Sequence, residues 1–226
     1  MTVAALQQLY SNFWQQYTNA LPKSVSYHPM NESPFKVTQI LAGEFQISLR
    51  ADFNRLKYKS SSHKQQDIAI RVGAGKHCRF GVDGEPKITQ SNVQVNYFRV
   101  SSGDGTLTLI ESLHYDYETK PGSLKNHPIY HCQICNDYIG GAFFGREIHY
   151  VINARSFVHQ HIRIPTANMD MISVLLSIAA DHFSPSEFQK VLTVCDREKW
   201  HEKLPHIAHQ SFSPQGNYRS RSWYIG

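Results

Sequence analysis

The chain is short of charge, of cysteine and of long apolar runs. Charged residues make up 18% of its 226 positions, against roughly 25% in ordinary soluble domains. Hydrophobic residues stand at 41%, enough for a packed interior, which excludes a disordered polyelectrolyte. The strongest apolar stretch, "VLLSIAA" at 174–180, falls far below the roughly 18 residues that a spanning helix needs. No membrane partner is expected. The N-terminal stretch "MTVAALQQLYSNFWQQY" lacks the basic segment and continuous apolar core of an export signal. The four cysteines, 78, 132, 135 and 195, are therefore expected as reduced thiols in a cytoplasmic protein. Neither a repeat nor a low-complexity linker divides the sequence, so one domain covering 1–226 is the economical reading.

Aromatic and imidazole side chains fill the space that charge leaves. There are twelve tyrosines, twelve phenylalanines and thirteen histidines. So many rings with so little charge imply large internal surfaces, or a surface covered by a partner protein or a second copy of the chain. The net charge of +5 with histidines neutral is a mild basic bias, compatible with nucleic acid or a nucleotide without demanding it. Histidine makes that charge sensitive to pH below about 6.5.

The hydrophobic period defines three regions. Over 1–20, Val3, Leu6, Leu9, Tyr10, Phe13, Trp14, Tyr17 and Ala20 recur at three- and four-residue intervals, the pattern of an amphipathic helix. Prolines 22, 29 and 34 then read as a loop. From 36 to 164 the period is two: Phe45, Ile47, Leu49, Ala51 and Phe53 alternate with Glu44, Gln46, Ser48, Arg50 and Asp52. Turn signals punctuate this region at "VGAGK" (72–76), "VDGEP" (82–86) and "SGDG" (102–105). Short turns without helical crossovers predict a mainly antiparallel sheet. Residues 169–202 return to helical patterning, with Ser184, Pro185 and Glu187 forming a capping-box start for the second of two helices. An irregular aromatic and basic tail is expected over 203–226. The fold class is α+β: an antiparallel sheet flanked by an N-terminal helix and two C-terminal helices.

The chemistry gathers on one phase of three strands. In 106–118 the apolar set is Leu107, Leu109, Leu113, Tyr115 and Tyr117, and the opposite set is Ser112, His114, Asp116 and Glu118. In "YHCQIC", His131 and Gln133 oppose Tyr130, Cys132 and Ile134. In "FVHQHIRIP", Phe157, His159, His161 and Arg163 share a face. Residues i and i+2 on a strand lie about 6.5–7 Å apart, which suits side chains converging on one ligand. If the three strands pair with these faces aligned, four histidines, an aspartate and an arginine meet on one surface.

Two enzyme readings follow. Imidazoles of His159, His161 and His131 are candidate ligands for a divalent transition metal, zinc, manganese or iron. Without a metal, His114, Asp116 and His131 are candidate acid–base groups and Arg163 a clamp for an anionic oxygen. Either suits a hydrolase of phosphodiesterase or nuclease type acting on nucleic acid or nucleotide. The alternative is a non-catalytic subunit that binds nucleic acid or a protein partner through a basic, aromatic-rich surface. Arg55, Lys57, Lys59 and Lys64 lie around Tyr58, and Arg219 and Arg221 lie beside Tyr218, Trp223 and Tyr224. Cations interleaved with rings suit phosphate contact and base stacking. "CQIC" at 132–135 lacks a second pair for a zinc ribbon, and in a strand its two thiols face opposite ways, so buried structural cysteines are expected. "GAGKH" at 73–77 lacks the spacing of a phosphate loop and reads as a turn.

Overall fold

A computed structural model describes residues 2–57, 67–81, 84–101, 106–118, 127–128, 130–135, 137–152, 163–165, 169–205 and 224–225. The chain begins with α1 (Val3–Ala20), capped by the Thr2 hydroxyl, which accepts the Ala5 N–H at 3.2 Å. Then follow β1 (Ser26–His28), β2 (Phe35–Leu41), β3 (Glu44–Lys57), β4 (Asp67–Phe80), β5 (Pro86–Val100) and β6 (Leu107–Glu118). β7 (His127–Pro128), β8 (Tyr130–Cys135), β9 (Tyr150–Ile152) and β10 (Arg163–Pro165) are shorter. α2 (Met171–His182), α3 (Pro185–Glu198), the single turn α4 (Trp200–Lys203) and β11 (Tyr224–Ile225) complete the order. The architecture is α+β, as the sequence pattern implies.

Nine strands form one sheet in the order β1-β3-β4-β5-β6-β8-β10, with β2 also paired to β3 and β9 to β6. Every pairing is antiparallel except β6 with β9. β1 lies inside the stretch read as a loop, where Ser26–His28 finds ladder partners in Asp52–Asn54. The tail is likewise not irregular throughout: Tyr224–Ile225 pairs with His127–Pro128.

One face of the sheet is covered by the helices. The buried α1 side chains Leu6, Tyr10, Phe13, Trp14 and Tyr17 pack with Phe45, Ile47, Leu49, Ala51 and Phe53 of β3 and with Ile70 and Val72 of β4. Met171, Val174, Leu175 and Ile178 of α2 join them. At roughly 1.5–3 kcal/mol for each large apolar side chain buried, this cluster is the main source of stability. The Tyr17 hydroxyl donates to the Leu175 carbonyl at 2.9 Å, tying α1 to α2. The Ser184 box is present: its hydroxyl accepts the Glu187 N–H, and the Glu187 carboxylate accepts the Ser184 N–H.

The other face is polar, and two local irregularities shape it. "VGAGK" is not a turn but the middle of β4, which runs unbroken through Gly73 and Gly75. The glycines serve a surface need: a Cβ on Gly73 would come within 2.3 Å of Ile139 Cδ1, and one on Gly75 within 3.2 Å of Asn92 Oδ1. The second irregularity is a bulge between β5 and β6, where Tyr97 pairs with Glu111 but Phe98 with Leu109. The extra residue, Ile110, reverses the phase of β6. Leu107 and Leu109 therefore leave the face of Tyr115 and Tyr117. They join Ala69, Phe98 and Phe143 in a second apolar cluster on the polar side.

Candidate polar-face site

The register of the sheet assembles the polar face in rows of directly opposed residues. The first row is Asp52, Arg71, Asn96, Ser112 and Cys135 across β3, β4, β5, β6 and β8. The second is Arg50, Gly73, Gln94, His114, Gln133 and Arg163. The third is Ser48, Gly75, Asn92, Asp116, His131 and Pro165.

The first row is closed over by the segment 137–150. Arg71 and Asp52 form a buried two-pronged ion pair, Nε to Oδ1 at 2.7 Å and Nη2 to Oδ2 at 3.0 Å. The same guanidinium donates to four successive carbonyls: Ile139 at 2.7 Å, Gly140 at 3.1 Å, Gly141 at 3.1 Å and Ala142 at 2.6 Å. It also donates to the Tyr150 hydroxyl at 2.9 Å and lies 5.2 Å from the Phe143 ring centroid. The spare demand of Asp52 Oδ2 is met by the Phe144 N–H at 3.1 Å. Burial disfavours the guanidinium charge, yet the hydrogen bond and charge of Asp52 outweigh it and hold the Arg71 pKa above its ordinary value. Further along, Asn96 donates to Ser112 Oγ at 2.7 Å and accepts the Ile139 N–H at 3.0 Å. Fully satisfied polar groups of this kind fix a cover segment rather than bind a ligand.

In the second and third rows Arg50 and Asn92 are exposed, and Gln94, His114 and Asp116 partly so. His114 and Asp116 on β6 are about one-third exposed, and their side chains meet, Nε2 to Oδ1 at 3.3 Å. Beside them Asn92 is exposed, and Gln94 donates to the Asp137 carbonyl at 2.8 Å, touching the cover segment. Exposed Arg50 donates to the Gly140 carbonyl at 2.6 Å and marks the same border. Gly73 and Gly75 leave β4 without side chains between Arg50 and Gln94 and between Ser48 and Asn92. Ile139 packs onto Gly73, and the face beyond it carries a His–Asp pair with amides around them.

Of the candidate residues, four come together by register. Asp116 is opposite His131 in β8, and His114 is opposite Gln133, which is in turn opposite Arg163 in β10. His159 and His161 lie outside the described residues, as do Lys59, Lys64, Arg219 and Arg221. Arg55 is exposed near the end of β3, with φ of 60°, beside the bulge that separates Phe53 from Leu56, and Lys57 closes that strand. Among the described residues, no group of three or more His, Cys, Asp or Glu is arranged to hold a metal ion. The "CQIC" thiols do part: Cys132 is buried opposite Tyr115, while Cys135 Sγ lies 3.2 Å from Ser112 Oγ on the polar face. All four cysteines are free thiols. Burial pushes Cys78 up to about 12 and Cys195 up to about 11, which marks them as unreactive.

The Arg71–Asp52 clamp was not among the expected site residues. Its only sequence signal is an aspartate and an arginine on the polar phase of alternating strands. Pairing them requires the β3–β4 register. No family model matches the chain, and neither a curated protein nor a solved structure matches it.

Proposed function

We propose that the open part of the polar sheet face binds a phosphate-containing substrate, nucleic acid or nucleotide, and hydrolyses a phosphodiester there. The observation that supports this reading is the His114–Asp116 contact of 3.3 Å, with His131 and Arg163 at neighbouring register positions. A carboxylate held against one ring nitrogen fixes the orientation of the imidazole, so that the other nitrogen can exchange a proton. In this mechanism His114 takes the proton from an attacking water as the water oxygen bonds to phosphorus. The bond to the leaving oxygen breaks, and His131 supplies the proton that this oxygen takes up. Arg163 offsets the charge on the non-bridging oxygens. Asp116 is a positioning residue: it acts through His114. His159 and His161 precede Arg163 at two-residue spacings in the sequence. In the metal-assisted form of the proposal they join His131 as ligands to zinc, manganese or iron.

The test compares wild type with His114→Ala, Asp116→Asn and Arg163→Ala on bis(p-nitrophenyl) phosphate and a short single-stranded oligonucleotide. Loss of general acid–base help is expected to lower kcat/KM by about 10²–10⁴-fold in His114→Ala. Asp116→Asn should shift the pH profile as well as the rate. Assays with added Zn²⁺, Mn²⁺ or Fe²⁺, together with elemental analysis, decide the metal-assisted form. A wild type that binds the oligonucleotide without turning over either substrate would replace the enzyme with a nucleic-acid-binding subunit. Neither binding nor turnover overturns both.

A further inference from the structure

The opposite face of the sheet carries a cavity that the phosphodiester reading does not use. It has a volume of about 260 Å³ and opens beside the C-terminal end of α2, lined by Ile68, Tyr97, Ile110, Glu111, Leu113, Asp181 and His182. That size fits a compact small molecule rather than a peptide segment. The bulge that moves Leu107 and Leu109 to the other face borders it, because its extra residue Ile110 lines the hollow beside Glu111, which lies opposite Tyr97. Apolar and acidic side chains thus border one hollow.

The lining has a definite polarity. Ile68 is buried at the floor, Leu113 is half-buried, and Ile110 stands 45% exposed at the mouth, giving an apolar body to the cavity. Two exposed carboxylates, Glu111 from β6 and Asp181 from α2, border it, and among the described residues no lysine or arginine lines it. Tyr97 presents an aromatic ring, with the His182 ring 6.0 Å away and tilted by 49°. Both carboxylates bear on the same phenol. Tyr97 is pushed up to about 12, first by burial and then by the charges of Asp181 and Glu111. An anionic ligand would meet two like charges, whereas a cationic one would meet two of opposite sign.

We infer that this cavity is a binding site for an organic ammonium with a small apolar body. The body sits against Ile68, Ile110 and Leu113, the carboxylates of Glu111 and Asp181 hold the ammonium, and the Tyr97 ring face adds cation–π attraction. The site is separate from the His114–Asp116 face, so either can fail without the other.

The probe is 2-phenylethylammonium, titrated into the full chain carrying ¹³C-labelled isoleucine and leucine methyls. Shifts are expected at Ile68, Ile110 and Leu113, with 2-phenylethanol binding about tenfold more weakly because it lacks the charge. The Glu111→Gln/Asp181→Asn variant should lose about tenfold in affinity for the amine and none for the alcohol. Its circular dichroism and melting temperature report that it is folded. Leu113→Trp should fill the cavity and abolish binding of both. A blocked lysine amide, run beside the free amine, distinguishes a partner's side chain from a metabolite as the source of the ammonium. Equal binding of amine and alcohol overturns the proposal, as does absence of methyl shifts at millimolar amine.

Discussion

Removing the Asp52 carboxylate would leave the Arg71 guanidinium in the interior with main-chain carbonyls and a phenol as its neighbours. Carbonyl dipoles satisfy its N–H groups, but they do not neutralise a full charge. Breaking a buried pair from one side costs about 3–5 kcal/mol, most of it the penalty for the charge left behind. Asp52→Ala is therefore expected to lose that much stability in urea unfolding. Glu44→Ala makes the contrast. Its partner Arg79 is two-thirds exposed, and exposed pairs contribute about 0–1 kcal/mol. Similar losses in the two variants would show that the Arg71 site is wetter than its geometry implies. Phe144 gives a second readout, because its N–H also bonds to Asp52. Amide exchange at Phe144 should accelerate in Asp52→Ala beyond what the global loss of stability accounts for.

At the scale of the element, β4 and the cover segment are built for each other. Gly73 makes room for Ile139 against the strand, since a Cβ there would stand 2.3 Å from its Cδ1. Gly73→Ala should cost roughly 1–3 kcal/mol through overpacking. Ile139→Ala removes the obstructing atoms, so the double variant should be more stable than the sum of the two losses. A double-mutant cycle measures this, and a coupling below about 0.5 kcal/mol would show that the side chain simply swings aside. The same strand shows where the sequence is readable and where it misleads. The helical period of α1 and the Ser184 box are local signals, and both appear where their residues place them. Alternation likewise puts Ile68, Ile70 and Val72 on one face of β4, opposite Arg71. Gly73 and Gly75 mimic a turn, because local composition does not tell a flexible backbone from one that another segment must approach. The Ile110 bulge carries no sequence mark, yet it decides which face Leu107 and Leu109 occupy. His114 and Asp116 are legible as a same-face pair within one strand. Their alignment with His131 and Arg163 depends on pairing between strands, which no single stretch encodes.

For the molecule as a whole, a buried charge pair joins the sheet to the helical layer. Lys76 points from the middle of β4 into the helix-covered face, fully buried, and its ammonium meets Asp170 Oδ2 at 2.7 Å and the Pro205 carbonyl at 3.2 Å. Asp170 is also the cap of α2, where its other oxygen accepts the N–H groups of Ile172 at 3.0 Å and Ser173 at 2.9 Å. Sheet, helix and the chain beyond α4 thus converge on one ion pair. Burial alone would raise the Asp170 pKa, but the charge of Lys76 and the hydrogen bonds from Lys76 and Ser173 hold it below the ordinary aspartate value. A carboxyl whose pKa is lower folded than unfolded binds protons more readily in the unfolded chain. Its stabilisation is complete above the unfolded value of about 4 and drains away as pH falls through the folded one. The urea midpoint of the wild type should therefore start to drop as pH falls below about 4 and go on dropping through the folded value. Asp170→Asn keeps a capping oxygen but cannot titrate. It should be less stable than wild type at pH 7, because Lys76 is left without a counter-charge, and its midpoint should fall less steeply on acidification. Two parallel pH curves would assign the acid sensitivity to other carboxylates and leave the Lys76–Asp170 pair a purely geometric tie.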